Sequence, residues 1–377
     1  MCQKLDKQFC IELLPALHGD CIWIEYGNRS NPNRILIDGG PIGAYEALDA
    51  RINKLRPGNR KIELTIITHV DADHIEGVIR LIAEKYNSLD FHKIWFNGWK
   101  HLETVPGMLG PVQGEFVSAL ISKCIGDGNW NTSDVFNGKT DPFKGKTLVV
   151  ANDGLPPVAN LEGGMQLTLL SPTPEKLEKL RNKWITEVNE KGIEPGDLDE
   201  ALEQLREQHR LVPKGLLGGS FQLGDERIKL DDKEANGSSL AMLAEYGGKS
   251  CLFLGDSHPD AIVQSLKKLG ASKELPMKVD AIKVSHHGSR GNTTPELLDL
   301  VSCKRFLIST NGSHFKNPHP HHETIDMIIS KAGPGVELVF NYFCETTKPW
   351  SKKSDQDNPN FISVYPKSEG ESIIVSL

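Results

Sequence analysis

Residues 64 to 74 read Leu-Thr-Ile-Ile-Thr-His-Val-Asp-Ala-Asp-His. The apolar run over 64–67 predicts a buried strand, and His69, Asp71, Asp73 and His74 crowd the loop that follows it. Imidazoles and carboxylates gathered at the end of a buried strand lose hydration, which is costly unless something binds them. A divalent cation, or a pair of them, is the partner that their chemistry suits. The bland alternative is a helix start, with Asp73 capping a helix that begins at Ile75. Three other segments weigh against it. Asp38 ends the apolar run Arg34–Ile37, Gly255-Asp256 follows Cys251-Leu-Phe-Leu254, and His286-His287-Gly288-Ser289 follows Ala281–Val284. Ligands delivered from strand ends sit on rigid supports, as metal chemistry requires.

Outward from this loop the chain alternates. Strands are expected at Phe9–Leu14, Cys21–Tyr26, Arg34–Ile37 and Lys93–Phe96, with helices at Ala44–Leu55 and Ile75–Tyr86. Glu115–Lys123 reads as helix, and Thr147–Val150 and Gln166–Leu170 read as strands. The β/α pattern returns with strands at Ser239–Tyr246, Ser250–Leu254, Ala281–Val284 and Phe306–Ile308 and helices at Pro259–Leu269 and Pro295–Val301. Ile373–Leu377 reads as an edge or closing strand. Between the two halves, 172–235 is rich in Glu, Lys and Leu and reads as a helical insertion within a single domain spanning 1–377. The pattern is that of an α/β fold with helices packed on sheets.

Composition narrows the function. Net charge is −7, which argues against non-specific coating of nucleic acid but leaves room for a nuclease with a local basic rim. No apolar run approaches the ~18 residues that span a bilayer, so no membrane partner is expected. Glu12 and Pro15 interrupt any signal-peptide stretch. Seven scattered cysteines form no CxxC pair and read as reduced thiols of a cytoplasmic protein.

The motif His69-x-Asp71-x-Asp73-His74, with Asp256 and His286 downstream, resembles the HxHxDH signature of the metallo-β-lactamase fold superfamily. The likeness is closer to the hydrolase domain of the bacterial DNA-uptake protein ComEC. It is carried by Gly19-Asp20, Ile37-Asp-Gly-Gly40, the step from Asn236 to Leu240, Gly255-Asp256, His286-His-Gly-Ser289, and Ile308-Ser309 with His319-Pro320. It covers most of 9–97 and 236–325, not the middle. The resemblance implies an αββα sandwich and two divalent metal ions, zinc or manganese. His69 and Asp71 would serve the first, Asp73, His74 and His286 the second, and Asp256 would bridge both. Two departures stand out. Asp71 replaces the usual His and is a harder ligand, which favours manganese over zinc. The His usual before the Ser-Leu strand is absent, with Asn236 near its place. The first site is therefore either loosely held or filled only with substrate, and a single-metal enzyme stays open.

Asp38 and Asn236 are expected behind the ligands, orienting them by hydrogen bonds. His287 either faces substrate or only packs beside its neighbour. His319 is expected at the mouth of the site, protonating a leaving group, with Asp73 taking a proton while ligating. Ser289, Arg290, Asn292 and Thr293 lead into a helix start at Pro295 and are candidate substrate contacts. Lys283, Lys304, Arg305, Lys316, Lys348, Lys352 and Lys353, with Trp95, Trp99 and Trp350, are either a nucleic-acid surface or ordinary surface lysines and core tryptophans. His258 reads as a surface helix-start residue. The expectation is a metal-dependent hydrolase, a nuclease or phosphodiesterase in which a metal-activated hydroxide attacks a nucleic-acid or nucleotide phosphodiester. The alternatives are a metallo-hydrolase of a carboxylic ester, lactone or thioester, and a catalytically weak regulatory subunit docking a protein partner through 175–235.

Overall fold

A computed structural model describes residues 7–102, 112–132, 146–189, 194–207, 230–313, 318–354 and 360–377. Lys316, much of 172–235 and the side chains of Lys352 and Lys353 lie outside them.

Two sheets face each other. The first has six strands in the spatial order Ile373–Ser376, Lys7–Leu13, Ile22–Asn28, Asn31–Ile37, Leu64–Ile66 and Ile94–Trp95. The second has eight, ordered Phe361–Val364, Val336–Phe340, Arg305–Ile308, Ala281–Lys283, Lys249–Phe253, Ala241–Tyr246, Gln166–Ser171 and Val158–Asn160. Each sheet changes character across its width. Lys7–Leu13, Ile22–Asn28 and Asn31–Ile37 pair antiparallel, and from Asn31–Ile37 onward the neighbours are parallel. The second sheet is antiparallel from Val158–Asn160 to Lys249–Phe253 and parallel beyond.

Alternating residues of the two sheets build the central core. Ile11, Leu13, Ile22, Ile24, Ile35 and Ile37 of the first meet Leu167, Leu169, Met242, Ala244, Phe253 and Leu307 of the second. Helices cover both outer faces. Tyr45–Asn53, Ala72–Lys85 and Val112–Leu120 bury Leu48, Ile52, Ile75, Val78, Ile82 and Val117 against the first sheet. Pro259–Lys268, Pro295–Asp299 and His322–Ala332 bury Ile262, Leu266, Leu297, Ile325 and Ile328 against the second. The result is the expected αββα sandwich. Within 172–235 the described residues include the helices Pro174–Asn189 and Leu198–Glu207, and Leu177, Leu180, Trp184 and Ala201 join the core over the first sheet.

Thr147–Val150 departs from expectation, because it pairs with no strand. Leu148 instead exchanges both backbone hydrogen bonds with the Asn97 side chain, at 2.8 Å each, and Val150 N donates to Pro172 O. Trp95 and Trp350 are fully buried in the core, so neither presents a face to a base. Among the described residues no helix is long and apolar enough to cross a membrane.

Close backbone packing fixes the rim of the first sheet. Gly77 lies so near the loop after Asn31–Ile37 that a Cβ there would sit 2.0 Å from Gly39 O, and Gly77 N donates to Gly40 O at 2.9 Å. That contact seats the helix Ala72–Lys85 directly over Asp38. The parallel strands then end on one rim, where loops carrying Asp38, His69, Asp256, His286 and Ser309 converge, as ligands do in open α/β sheets.

Candidate metal centre

Asp256 stands at the middle of this rim, its side chain 3% exposed. Its two oxygens face different ways. Oδ1 lies 3.5 Å from His74 Nε2 and 3.9 Å from His287 Nε2. Oδ2 lies 3.6 Å from His286 Nε2 and 4.0 Å from His69 Nε2. Two more carboxylates border the histidines on the exposed side. Asp71 Oδ2 is 3.7 Å from His69 Nε2, and Asp73 Oδ2 is 3.6 Å from His287 Nε2 and 3.9 Å from His74 Nε2. Asp71 sits at the N-cap of the helix Ala72–Lys85 but makes no capping bond with its side chain, so that carboxylate is not spent on the helix end.

Every imidazole in the cluster is held by its other nitrogen. Asp38 is buried with φ 59°, and its Oδ2 accepts from His74 Nδ1 at 2.8 Å and from the Thr68 hydroxyl at 2.7 Å. With its proton committed to Asp38, the Thr68 oxygen accepts from His69 Nδ1 at 2.9 Å. His287 Nδ1 donates to Ser309 O at 2.8 Å. His286 Nδ1 donates to Asp231 Oδ2 at 3.1 Å and Asn292 Oδ1 at 2.9 Å. All four rings therefore carry hydrogen on Nδ1 and turn Nε2 toward Asp256.

The turn delivering the last two rings is strained. His286 and His287 have φ 47° and 54°, and Gly288 follows at 90°. Left-handed non-glycine residues cost about 1–3 kcal/mol each and persist where the surroundings over-determine them. The effect is to send adjacent rings to different oxygens of Asp256. His287, rather than the expected His286, thus shares the Asp73 and His74 side, and His286 faces the other oxygen of Asp256, as His69 does.

Electrostatics bind the cluster. Burial alone would raise the Asp256 carboxyl, but His286, His74 and His287 hold it well below the usual carboxylate range. Burial would likewise depress His287, yet Asp256 and Asp20 raise it to about 9. His319, nearly enclosed, is pushed well below the ordinary histidine range by burial and by His286.

The residues fit a divalent cation pair. His69 Nε2, His74 Nε2, His287 Nε2 and Asp256 Oδ1 are buried without a hydrogen-bond partner, although each ring's Nδ1 is satisfied. Orphaned ring nitrogens converging on a bidentate carboxylate make the donor set of a metal site. On the His69 side the ligating atoms would be those of His69, Asp71, His286 and Asp256 Oδ2. On the other they would be those of Asp73, His74, His287 and Asp256 Oδ1.

The remaining candidates divide. The His319 ring lies 5.1 Å from that of His286 and 6.4 Å from that of His287, with Nδ1 buried and unpartnered. Asn236 and Asn292 both stand behind His286, donating to Asp231 at 2.7 and 2.8 Å, so the Asn292 side chain is turned to the metal ligand, not to a substrate. Ser289 and Thr293 are buried, and Arg290 is exposed beside Glu323 at 3.3 Å. The helix expected to offer an anion site at Pro295 is five residues long and capped by its own Thr294. Lys283 is no surface cation either, since its Nζ is buried 2.6 Å from Asp20 Oδ2. His258 is buried, with Nδ1 3.0 Å from Lys176 Nζ.

Sequence reasoning gave no role to Asp20 or Asp231, and it placed Lys283 among the surface cations. Gly19-Asp20 is visible as a motif, but nothing in its spacing reports that Asp20 Oδ1 lies 3.5 Å from His287 Nδ1. Asp231 follows no strand and carried no signal.

No family model matches the chain. ComE operon protein 3 of Bacillus subtilis (strain 168) is 29% identical over 145 residues, covering 36% of this chain and 17% of that relative's length. Among solved structures, Zn(2+)-bound PqqB from Methylobacterium extorquens aligns over 98% of this chain and 100% of its own at 11% identity and TM-score 0.42. The metallo-β-lactamase fold protein YhfI from Bacillus subtilis aligns over 98% and 99% at 10% identity and TM-score 0.40. A diphosphatase of the PhnP family aligns over 96% and 85% at 12% identity and TM-score 0.37.

Proposed function

We propose that this chain, whose fold is that of the metallo-β-lactamase superfamily, is a metal-dependent hydrolase of phosphodiesters, a nuclease or nucleotide phosphodiesterase. The observation that carries the reading is the convergence of four Nε2 atoms on the two oxygens of Asp256, each ring fixed through Nδ1. Such a pair of sites, when loaded, supplies Lewis acidity that acidifies water and polarises the bond under attack.

The chain's own residues supply the rest. Asp71 and Asp73 border the centre with side chains 36% and 26% exposed, so this is the side from which a substrate enters. Asp73, 3.6 Å from His287, is placed to take a proton from attacking water while it ligates. His319 stands across the histidine pair with an unpartnered ring nitrogen and, kept neutral by burial and by His286, is placed to hydrogen-bond a leaving oxygen. The phosphodiester class draws support from the partial likeness to ComE operon protein 3 and from hard carboxylate donors on both sides of the pair.

The test is direct. Metal content is measured on purified protein, and turnover of single-stranded DNA, RNA and bis-p-nitrophenyl phosphate is followed with manganese and with zinc. Turnover that disappears in Asp73→Ala and Asp256→Ala supports the reading. Cleavage of a thioester or lactone without any phosphodiester turnover overturns the substrate class. A folded wild-type protein that binds no metal overturns the whole.

A further inference from the structure

Asp231 lies near the end of the middle segment 172–235, outside the stretches that carry the signature residues. Its carboxylate nevertheless reaches the back of the metal centre. Oδ2 accepts from His286 Nδ1 at 3.1 Å, from Asn236 Nδ2 at 2.7 Å and from Asn292 Nδ2 at 2.8 Å. Oδ1 accepts from Lys233 N at 3.1 Å and faces His258 Nε2 at 3.9 Å, while Asp231 N donates to Gly291 O at 3.2 Å. The side chain is 7% exposed. Asn292 is tied in turn to the Asp256 carbonyl at 3.1 Å. One carboxylate thus joins the middle segment, the His-His turn and the loop of Asp256.

We infer that Asp231 is the positioning residue that makes His286 a ligand on the Asp71 side, in place of the histidine missing before Ser238-Ser239-Leu240. The inference rests on the two-cation reading of the centre and adds that the middle segment is a working part of it. His286 is strained in a left-handed conformation and is the most exposed of the four imidazoles, with a 17% exposed side chain. Its neighbour His287 is anchored to a backbone carbonyl, and His69 and His74 are anchored through Asp38. His286 depends instead on two side chains, of which only Asp231 carries charge. A carboxylate accepting from Nδ1–H fixes the tautomer, orients the ring and makes Nε2 a stronger donor to a cation. Asn236, which stands near the place of the missing histidine, acts through this network. Its Nδ2 donates to Asp231.

Calorimetric titration of the metal-free full chain with zinc is the test, with Asp231→Asn and His286→Ala compared singly and together. Wild type takes up two equivalents. Asp231→Asn keeps the one held by Asp73, His74 and His287 and weakens the other 10-fold or more, a loss typical of groups that support a metal-bound histidine. The double variant is no weaker at that equivalent than His286→Ala alone, because Asp231 acts through His286. Thermal melts of the metal-free proteins report folding. If Asp231→Asn does not fold, Asp231→Glu, which keeps the charge and shifts it by one methylene, carries the same titration. Two unaltered equivalents in the Asp231 variant, or additive losses in the double variant, overturn the inference and leave the two-cation reading intact. A wild type that takes up no zinc overturns both.

Discussion

Asp38 Oδ2 lies 2.8 Å from His74 Nδ1, and both side chains are fully buried. The same oxygen takes the Thr68 hydroxyl, whose own oxygen accepts from His69, so one carboxylate sets the tautomer of two imidazoles. Asp38→Asn isolates that effect, because Asn tolerates the left-handed backbone that Asp38 adopts. The variant is expected to fold and to bind zinc about 10- to 100-fold more weakly. Affinity at the wild-type level would show that the two rings hold their orientation without the charge.

Asp20 and Lys283 form a buried ion pair at 2.6 Å beneath His287. Burial opposes the charge on Asp20, and Lys283 together with His287 holds its carboxyl well below the usual range. Removing one partner leaves an uncompensated charge, so Lys283→Ala is expected to cost about 3–5 kcal/mol of stability. The double variant Asp20→Asn, Lys283→Met removes both charges and is expected to recover most of that loss. Denaturant titration of the three proteins decides it, and equal losses in single and double variants would count against the pairing.

His101 gives a pH dependence away from the centre. It is buried against the Trp130 ring at 4.8 Å, and neither ring nitrogen has a hydrogen-bond partner. Burial, then the charge of Lys100, lowers it from 6.5 to about 3. The unfolded chain therefore binds a proton that the folded chain refuses. Its contribution to stability is full above about pH 6.5 and is lost progressively as pH falls toward 3. His101→Phe is expected to flatten the acid limb of the stability curve across that window. Parallel curves for variant and wild type would mean that the ring is not kept neutral.

Much of the centre was legible because its ligands follow apolar runs. Asp38, His69, Asp256 and the His-His turn each stand after a short buried strand, and that pattern needs no tertiary knowledge. What resisted reading depends on contacts distant in sequence. Thr147–Val150 has strand composition, but its hydrogen bonds go to the Asn97 side chain and to Pro172. Lys283 read as a surface lysine, with or without nucleic acid against it, but Asp20, 263 positions away, takes it into the core. Which of His286 and His287 joins Asp73 is set by two positive φ angles, and residue type does not encode those. The role of Asp231 arises only when 231, 236, 286 and 292 are brought together by the fold.

Asp71 is where the signature leaves its common form, and it tests how far one donor sets metal choice. Its Oδ2 is 3.7 Å from His69 Nε2, on the side of the centre that also holds His286 and the second oxygen of Asp256. With Asp71 that side offers two carboxylates and two imidazoles, a mixture that accepts manganese. With histidine it would offer three imidazoles and one carboxylate, a set that suits zinc better. Asp71 carries no capping bond, and its side chain is 36% exposed, so a larger ring can be accommodated without disturbing the helix start. Asp71→His is therefore expected to leave the melting temperature of the metal-free protein within a few degrees. The preference for zinc over manganese at one equivalent should rise by roughly an order of magnitude. Competition titration of the two metals reads the ratio directly. An unchanged ratio would mean that the Asp71 oxygen does not reach the cation, leaving His69, His286 and Asp256 to hold it.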